Sequence, residues 1–307
     1  MTDYSSNSGC ASKADDAKKQ REKMEKELSL ATGHSFDASE FKFRREQTLA
    51  LSAVNGSDVF AELAALHSRL SQEFFPGGIR ALESWANGDS QFHFVSKSPD
   101  SIIDKLYRLN ILENEYYADG NPPRWRDLSQ LVDSREAGTH TREEWITTET
   151  YNLAIDDLVR SKFVVPFMDQ VAAVSDEIVE ILSSSGVPHY KRYHAKDSGY
   201  HARHVYGVVE IPIGSGSARK ITVEIKVLTK MQDLLGEITH SMYEAQRAGV
   251  TSMRKKRTIA WETDRPEFWA SYTSHAAHLV EAEIVRLRDQ VSSLGIARMD
   301  GGNNAES

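Results

Sequence analysis

Two carboxylates placed at predicted strands are the first candidates for chemistry in this chain. Asp157 stands at the start of an apolar segment that predicts a buried strand, and Glu224 lies within the alternating segment 219–228. If the two strands share a sheet, their carboxylates could lie over one face and bind a hard cation or accept a proton. The alternative interpretation is that both carboxylates face solvent.

Two lysines, Lys97 and Lys105, lie on either side of Pro99. Proline suits the first position of a helix, with Asp100 then in the first turn. A lysine ammonium is a point charge suited to phosphate oxygens. Both lysines could equally be ordinary exposed helix residues.

Histidines are concentrated in one short region. Four of the eleven, His189, His194, His201 and His204, fall within sixteen residues. Zinc is one ligand to consider for such a group, but His201 and His204 would point to opposite faces of a strand. We interpret the group as a cationic wall for phosphate.

The elements that must position these residues alternate between strands and helices. A buried strand is predicted at 161–167, followed by a helix that Asp169 could cap. Segments 203–213 and 219–228, joined by a Gly- and Ser-rich turn, predict a β-hairpin. Thr229 and Gln232 form a capping box that opens the next helix.

The period of two divides this hairpin into an apolar face and a polar face. The polar face receives His204, Tyr206, Lys220, Glu224 and Lys226. Such a face is either solvated or lines a site for a charged ligand.

The spacing of apolar residues predicts several helices on either side of these strands. An apolar stripe between Val59 and Leu70 predicts a helix, and another runs along a C-terminal helix at Ala277, Val280, Ile284, Leu287 and Val291. The second stripe could pair with another helix, but docking on its own domain is the favoured interpretation.

Two other segments lack such a stripe. Residues 17–30 predict a solvated or partner-dependent helix at best. Residues 110–148 predict a long excursion of a kind that is often functional.

Composition restricts the class of protein. A net charge of −8 over 307 residues gives no overall cationic field for non-specific nucleic-acid binding. The single cysteine, Cys10, excludes an internal disulfide scaffold. A secretory signal and a long apolar run are not recognisable, so a cytoplasmic location is expected. Phosphate-loop, paired CxxC and His-Asp motifs are also missing from the sequence.

Several short segments, taken in order, resemble the synthetase domain of the RelA/SpoT family. They are Lys97-Ser-Pro-Asp-Ser101-Ile-Ile-Asp-Lys105-Leu, Asp157-Leu-Val-Arg-Ser-Lys162, Gly199-Tyr200-His-Ala-Arg-His204, Val223-Glu224-Ile225-Lys226 and Glu237-Ile-Thr-His240. The resemblance spans about residues 92–246. Members of this family transfer pyrophosphate from ATP to the 3′-hydroxyl of a guanine nucleotide, which makes (p)ppGpp-type alarmones.

The resemblance implies an α/β (α+β) fold of nucleotidyltransferase type, with a mixed β-sheet flanked by helices and with helical N- and C-terminal extensions. The synthetase domain would occupy residues 91–247, between an N-terminal helical region at 17–90 and a C-terminal helical extension at 248–298. Residues 1–16 and 299–307 are expected to be disordered tails. Since the His-Asp pair is missing, synthesis without a partner hydrolase domain is expected.

The resemblance also implies a role for each matching residue. ATP would be bound by Lys97, Ser101, Lys105 and Lys162, and the GDP or GTP acceptor by Tyr200, His201, His204 and Lys226. Asp157 and Glu224 would bind Mg²⁺, and Glu224 could instead be the base for the attacking hydroxyl. Tyr200 would stack on the guanine ring.

Departures from the family pattern leave the acceptor open. Val95 stands where many members have an arginine that packs against adenine, and Arg160 replaces a glycine. Lys162 replaces an arginine, and Lys226 replaces a glutamine or asparagine. These changes also permit a non-catalytic module that binds nucleotides.

Beyond the domain, the densest basic run is Arg254, Lys255, Lys256 and Arg257. A solvated linker is the simpler interpretation. The alternative is a patch for tRNA phosphate, which would suit a toxin-like member that pyrophosphorylates the tRNA 3′ end. A homo-oligomer through the C-terminal helix is a further expectation.

Overall fold

The computed structural model describes residues 8–37, 39–74, 92–130, 141–196, 198–214, 217–249, 263–264 and 266–301. Its first helices are α1 (Ser8–Thr32), α2 (Ser39–Asn55) and α3 (Asp58–Phe74). They are followed by β1 (Val95–Ser96), α4 (Pro99–Tyr107), β2 (Arg124–Arg126), β3 (Thr141–Glu143) and α5 (Tyr151–Ala154). The remaining elements are β4 (Val159–Val165), α6 (Gln170–Ser184), β5 (His189–Ala195), β6 (His201–Gly214), β7 (Ser217–Thr229), α7 (Lys230–Gly249) and α8 (Pro266–Gly301).

Five strands form one mixed sheet in the order β1-β4-β7-β6-β5. Strand β4 is parallel to β7, and every other pair of neighbours is antiparallel. The predicted α/β fold, a mixed sheet flanked by helices, is therefore confirmed. The predicted hairpin is β6–β7, and the strand predicted at 161–167 is β4.

The main core lies between the apolar face of this sheet and helices α2, α3 and α6. Val159, Val205 and Ile225 are almost completely buried on the sheet. Leu63, Leu66 and Leu70 of α3 pack into the same cluster. The stripe predicted for this helix is therefore confirmed, and burial of its leucines supplies the packing energy of the layer.

Helix α1 packs more firmly than its sequence indicates. Leu28 is fully buried in a second core with Ile102, Ile103 and Leu106 of α4. The prediction of a solvated or partner-dependent helix at 17–30 was wrong, because Leu28, with Met24 and Ala31 beside it, packs α1 into the core that contains α4. The helix itself begins at Ser8.

The excursion 110–148 is ordered around a buried amide where the structure describes it. Asn110 donates to the Ile146 carbonyl and accepts from the Ile146 N–H. Strands β2 and β3 pair antiparallel within this excursion. The segment therefore contains short pieces of structure held by specific hydrogen bonds.

Of the two predicted helix caps, one was wrong and one was confirmed. Asp169 precedes α6 but makes no capping bond, because its carboxylate binds Arg288 of α8. Thr229 does cap α7, accepting from the N–H of Gln232.

The prediction that the apolar stripe of α8 docks on its own domain was wrong beyond Ala277. Exposed fractions are 50% for Val280, 42% for Ile284, 60% for Leu287 and 60% for Val291.

Within the described residues, no single helix is long and apolar enough to cross a membrane. Helix α2 and most of α3 pass that test only together, as a pair bent by 67°. The basic run 254–257 lies outside the described residues.

Candidate active site

Two rows of side chains cross the polar face of the sheet. Residues in direct register on neighbouring strands project to the same face. The carboxylate row comprises Val95, Arg160, Glu224, Tyr206 and Tyr190. The basic row, one pleat further along, comprises Lys162, Lys226, His204 and Arg192. A line of basic side chains thus runs beside a single buried carboxylate, an arrangement suited to a polyanionic ligand.

Glu224 is the most buried charged group of this face, with 4% of its surface exposed. Its Oε1 accepts from His204 Nδ1 at 2.7 Å and from the Tyr206 hydroxyl at 3.3 Å. Its Oε2 is buried and makes no hydrogen bond to any described residue, but it forms an ion pair with Lys226 Nζ at 3.4 Å. One oxygen is therefore fixed by hydrogen bonds, and the other is held only by the charge of Lys226.

The charge state of Glu224 follows from these contacts. Burial by itself would raise the pKa of Glu224, but the hydrogen bond from His204 and the positive charge of Lys226 outweigh burial and lower it. Nearby Asp157 opposes this effect. Glu224 is therefore ionised at neutral pH and can accept a proton on Oε2.

A hydrogen-bonded chain orients Glu224. The Tyr200 hydroxyl lies 2.9 Å from His204 Nε2, while His204 Nδ1 faces Glu224. These contacts assign the proton of a neutral imidazole to Nδ1, so that Nε2 accepts from Tyr200. Burial raises the pKa of Tyr200, which keeps its phenol protonated.

Asp157 lies in a separate ionic cluster formed by β1, α4 and the residues before β4. Its carboxylate contacts Lys97 Nζ at 2.7 Å and Lys105 Nζ at 3.0 Å. Lys105 also binds Asp156 at 2.7 Å. The position of Lys97 is set by its backbone N–H, which donates to the Leu158 carbonyl.

The pKa values of this cluster are set by competition between burial and charge. Burial would raise the pKa of Asp157, but Lys105 and Lys97 hold it well below the usual range. Burial lowers the pKa of Lys97 despite the opposing effect of Asp157. The pKa of Lys105 is raised, because Asp156 and Asp157 outweigh burial.

Two further residues expected to bind ATP contact the first turns of helices. Ser101 is in the first turn of α4, where its N–H donates to the Ser98 cap at 3.2 Å. Lys162 turns towards the start of α7 and pairs with Asp233 at 2.7 Å. Lys162 is therefore held apart from the cluster around Asp157.

The residues expected to bind the acceptor are not all brought together. Tyr200, His204 and Lys226 lie beside Glu224, as described above. His201 instead faces α8, where its ring stacks on His278 with a centroid distance of 3.9 Å. The ring of Tyr200 is not free at a loop tip, since Lys196 Nζ lies 5.3 Å from its centroid.

Sequence reasoning gave no role to Tyr190 and only a place on the polar face to Tyr206, and its prediction that His194 belongs to a cationic wall was wrong, because this ring is neutral. Tyr206 donates to Glu224, and Tyr190 stacks on Tyr206 at 4.6 Å. His194 packs 4.1 Å from the His204 ring, and burial and His204 lower the pKa of His194 to about 4. The alternation of 190, 192 and 194 on β5 is the signal that could have found them, because it matches the polar face of β6.

The two candidate carboxylates suit a magnesium ion. In the part of the chain that the structure describes, no three His, Cys, Asp or Glu side chains are grouped as metal ligands, so the histidines form no zinc site. Asp157 and Glu224 supply hard oxygen atoms, and Glu224 Oε2 is buried without a hydrogen bond. Mg²⁺ usually takes one or two carboxylates and completes its shell with water and substrate phosphates.

Comparison with known proteins gives matches among solved structures only; no family model and no curated protein matches. Small alarmone synthetase 1 from Bacillus subtilis, bound to its product pppGpp, is 14% identical; the match covers 77% of this chain and 100% of that one, with a TM-score of 0.41. Small alarmone synthetase 2 from Bacillus subtilis is 13% identical over 76% of this chain and 98% of that one, with a TM-score of 0.36. A GTP pyrophosphokinase family protein from Streptococcus pneumoniae is 22% identical, with coverage of 46% and 67% and a TM-score of 0.32.

Proposed function

We propose that this chain is a Mg²⁺-dependent pyrophosphotransferase of the RelA/SpoT type that transfers pyrophosphate from ATP to the 3′-hydroxyl of GDP or GTP. The observation that carries the proposal is the geometry of Glu224. This carboxylate is buried and ionised; His204 fixes one oxygen, while the other makes no hydrogen bond and is paired only with Lys226. A base held in this way is prepared to take a proton from a hydroxyl group placed against Oε2.

The donor would lie over the cluster of Lys97, Lys105 and Asp157. Both ammonium groups bind carboxylates in the absence of a ligand. A triphosphate would offer the lysines a higher charge density than one carboxylate, and Asp157 would then turn to the cation. Bound Mg²⁺ would supply charge neutralisation and alignment of the phosphates.

The acceptor would lie over the basic row. Lys226 and His204 are direct neighbours in register, and each contacts one oxygen of Glu224. Their side chains would orient the acceptor phosphates, and this would place the 3′-hydroxyl at Glu224 Oε2. ATP and guanine nucleotides are abundant in the cytoplasm, which agrees with the location expected from the sequence.

Glu224, Lys97 and Lys105 are the protein groups that would act in the transfer step. The acceptor oxygen forms a bond to the β-phosphorus of ATP, and the bond from that phosphorus to the oxygen of the α-phosphate breaks. Glu224 Oε2 takes the hydroxyl proton, and AMP leaves with the bridging oxygen. Lys97 and Lys105 would stabilise the negative charge on the transferring and leaving phosphates.

Label transfer tests the proposal. The protein is incubated with Mg²⁺ and ATP labelled at the γ-phosphate, and GDP, GTP, ATP or deacylated tRNA is offered in turn. We expect label on GDP or GTP, and loss of transfer by at least about a hundredfold in Glu224→Gln. Glu210→Gln, which changes an exposed carboxylate on β6, is the matched control and should retain activity.

Other outcomes separate the alternatives. Label on tRNA alone would replace the nucleotide acceptor with a tRNA end, and charge reversal at 254–257 would then weaken transfer. Transfer to no acceptor, with wild type equal to Glu224→Gln, would leave a nucleotide-binding module and refute the enzymatic proposal.

A further inference from the structure

The hydroxyl group of Tyr206 lies against both Glu224 and His204. Tyr206 on β6 is the direct antiparallel partner of Glu224 on β7, so the two side chains share the polar face of the sheet. The Tyr206 oxygen lies 3.3 Å from Glu224 Oε1 and 3.1 Å from His204 Nδ1, and those two atoms are 2.7 Å apart. The hydroxyl therefore completes a triangle at the same oxygen of Glu224 that His204 contacts.

Two residues of β5 hold Tyr206 in this position. The Tyr190 ring stacks on the Tyr206 ring at 4.6 Å with an interplanar angle of 16°. His194 Nε2 lies 3.3 Å from the Tyr206 oxygen. Tyr206 itself is buried, with 2% of its surface exposed. Because a buried, stacked ring is closely packed on its faces, the hydroxyl has one place to occupy.

The single proton of the Tyr206 hydroxyl has two candidate acceptors, Glu224 Oε1 and His194 Nε2. A hydrogen bond to an ionised carboxylate is roughly twice as strong as one between neutral groups. His194 is neutral at pH 7, since burial above all lowers its pKa to about 4. The proton therefore belongs to the bond with Glu224, and a neutral His194 donates from Nε2 to the Tyr206 oxygen.

Two donors on one oxygen determine how the Glu224 carboxylate is turned. The last torsion of a glutamate side chain is broad, so a carboxylate held by one hydrogen bond can still rotate. Donors from both Tyr206 and His204 fix its plane. Lys226 contacts Oε2 at 3.4 Å and has 31% of its side chain exposed, so it supplies charge and little orientation. The direction of Oε2 thus depends on what holds Oε1.

We propose that Tyr206 is a positioning residue for Glu224: its hydroxyl, held by Tyr190 and His194, keeps Oε1 in place so that Oε2 faces the acceptor 3′-hydroxyl. The proposal rests on the function proposed above. A distance of 3.3 Å is long for a bond from a hydroxyl to a carboxylate, and bonds of this kind often shorten once substrate is bound. Tyr206 would therefore act on the transfer step and not on nucleotide binding.

Steady-state kinetics of Tyr206→Phe test this role, because the variant removes the hydroxyl and keeps the ring stacked on Tyr190. We expect kcat to fall by about tenfold or more, while KM for ATP and for GDP changes by less than about twofold. Tyr151→Phe is the matched control, since it removes a buried hydroxyl that donates to the Glu46 carboxylate at 2.6 Å in the second core. Thermal melts should show a loss of stability in both variants, but Tyr151→Phe should keep its kcat.

A spectroscopic measurement on the protein without nucleotides tests the hydrogen bond separately. The tyrosine ring carbon that bears the hydroxyl is labelled with carbon-13, and the Tyr206 signal is identified by its loss in Tyr206→Phe. Donation to an anion makes this carbon more like that of a phenolate, so the signal should move upfield in Glu224→Gln. It should stay in place in Glu210→Gln, which changes an exposed carboxylate, and should not move upfield in His194→Leu.

An upfield shift in His194→Leu with none in Glu224→Gln would show that the hydroxyl donates to His194, and would overturn the proposal. An unchanged kcat in a folded Tyr206→Phe, or a raised KM at constant kcat, would also overturn it and would leave the proposed function intact. A wild-type protein that labels no acceptor, while the Tyr206 signal still responds to Glu224→Gln, would refute the proposed function and keep the bond between Tyr206 and Glu224.

Discussion

At the residue scale, the charges of the candidate site are stabilised by other charges, and this arrangement links stability to pH. Asp157 is mostly buried between Lys97 and Lys105, with 17% of its side chain exposed. Its depressed pKa means that the folded state favours the ionised form. Asp157 therefore contributes stability above its ordinary pKa of about 4, and this contribution is lost as the pH falls below that value.

We predict that Asp157→Asn lowers the free energy of unfolding by about 1–3 kcal/mol at pH 7, between the values for exposed and buried ion pairs. The reason is that Lys97 would be left without its carboxylate and Lys105 with only one. Urea titration at pH 7 and below pH 4 measures the change, which should shrink at the lower pH. Asp156→Asn, which removes a more exposed partner of Lys105 alone, is the control with a smaller effect. Equal stability of Asp157→Asn and wild type at pH 7 would contradict the prediction.

At the element scale, helix α8 is packed against the loop that carries Tyr200. Gly199 has a φ of +77°, and a Cβ built there would lie 2.5 Å from Ser274 Cβ and 2.8 Å from the His275 nitrogen. Next to this contact, His201 stacks on His278 with an interplanar angle of 4°. Glycine is required at 199 both for the backbone conformation and for the approach of α8.

We predict that Gly199→Ala destabilises the protein by clearly more than Gly186→Ala. Both glycines have a positive φ, so both alanines suffer strain of about 1–2 kcal/mol. Only position 199 has atoms within 4 Å of the added methyl group, whereas position 186 is open. Chemical denaturation measures both variants. Equal losses of stability would show that α8 does not press on the loop.

We also predict that α8 undocks as the pH falls from about 7.5 to 5.5. Burial and the neighbouring histidines lower the pKa of His201, and burial and His275 lower that of His278. The docked state thus favours neutral rings, and its stability is lost as the pH falls through the ordinary histidine pKa of about 6.5. Glu281 on the same helix acts in the opposite direction, because burial raises its pKa.

Hydrogen exchange of residues 266–281 at several pH values measures this undocking. His278→Phe keeps an aromatic ring on His201 but cannot take a proton, so exchange in this variant should depend less on pH. Glu281→Gln removes the opposing contribution and should make the dependence steeper. Exchange that follows only the intrinsic chemical rate in wild type would refute the prediction.

At the scale of the whole molecule, the outer face of α8 carries a row of exposed apolar side chains. Val280, Ile284, Leu287 and Val291 follow the four-three-four spacing of a helix-pairing seam. Glu283 and Arg288 flank this seam, but both are already paired within the chain, with Arg286 and Asp169 respectively. This spacing makes a second copy of α8 a partner to test for this face.

We predict that the protein self-associates and that Leu287→Glu shifts it towards monomer, since a charge in the seam would be buried without a partner. Leu279→Glu is the matched control, because Leu279 is 70% exposed but lies outside the seam. Sedimentation velocity across a range of protein concentrations measures the change. A wild-type protein that stays monomeric throughout would rule out this use of α8.

Part of the fold and of the site could be predicted from local pattern. The alternation along 203–213 and 219–228 correctly places Glu224, Lys226 and His204 on one face, because side-chain period is a local property of a strand. Pro99 likewise predicts the start of α4. Contacts between distant segments could not be predicted. His201 was expected beside the acceptor, yet it binds α8, whose position depends on packing more than sixty residues away.

The sequence by itself determined which residues carry charge, which alternate along strands and which segments resemble a synthetase. Only the tertiary structure decided that Glu224 has one hydrogen-bonded oxygen and one without a hydrogen bond, since that depends on His204 from the neighbouring strand. It also decided that Val95 and Arg160 are partners, because register between β1 and β4 is set by the whole sheet. Local patterns specify faces and helix starts, whereas the pairing of distant strands specifies which side chains meet.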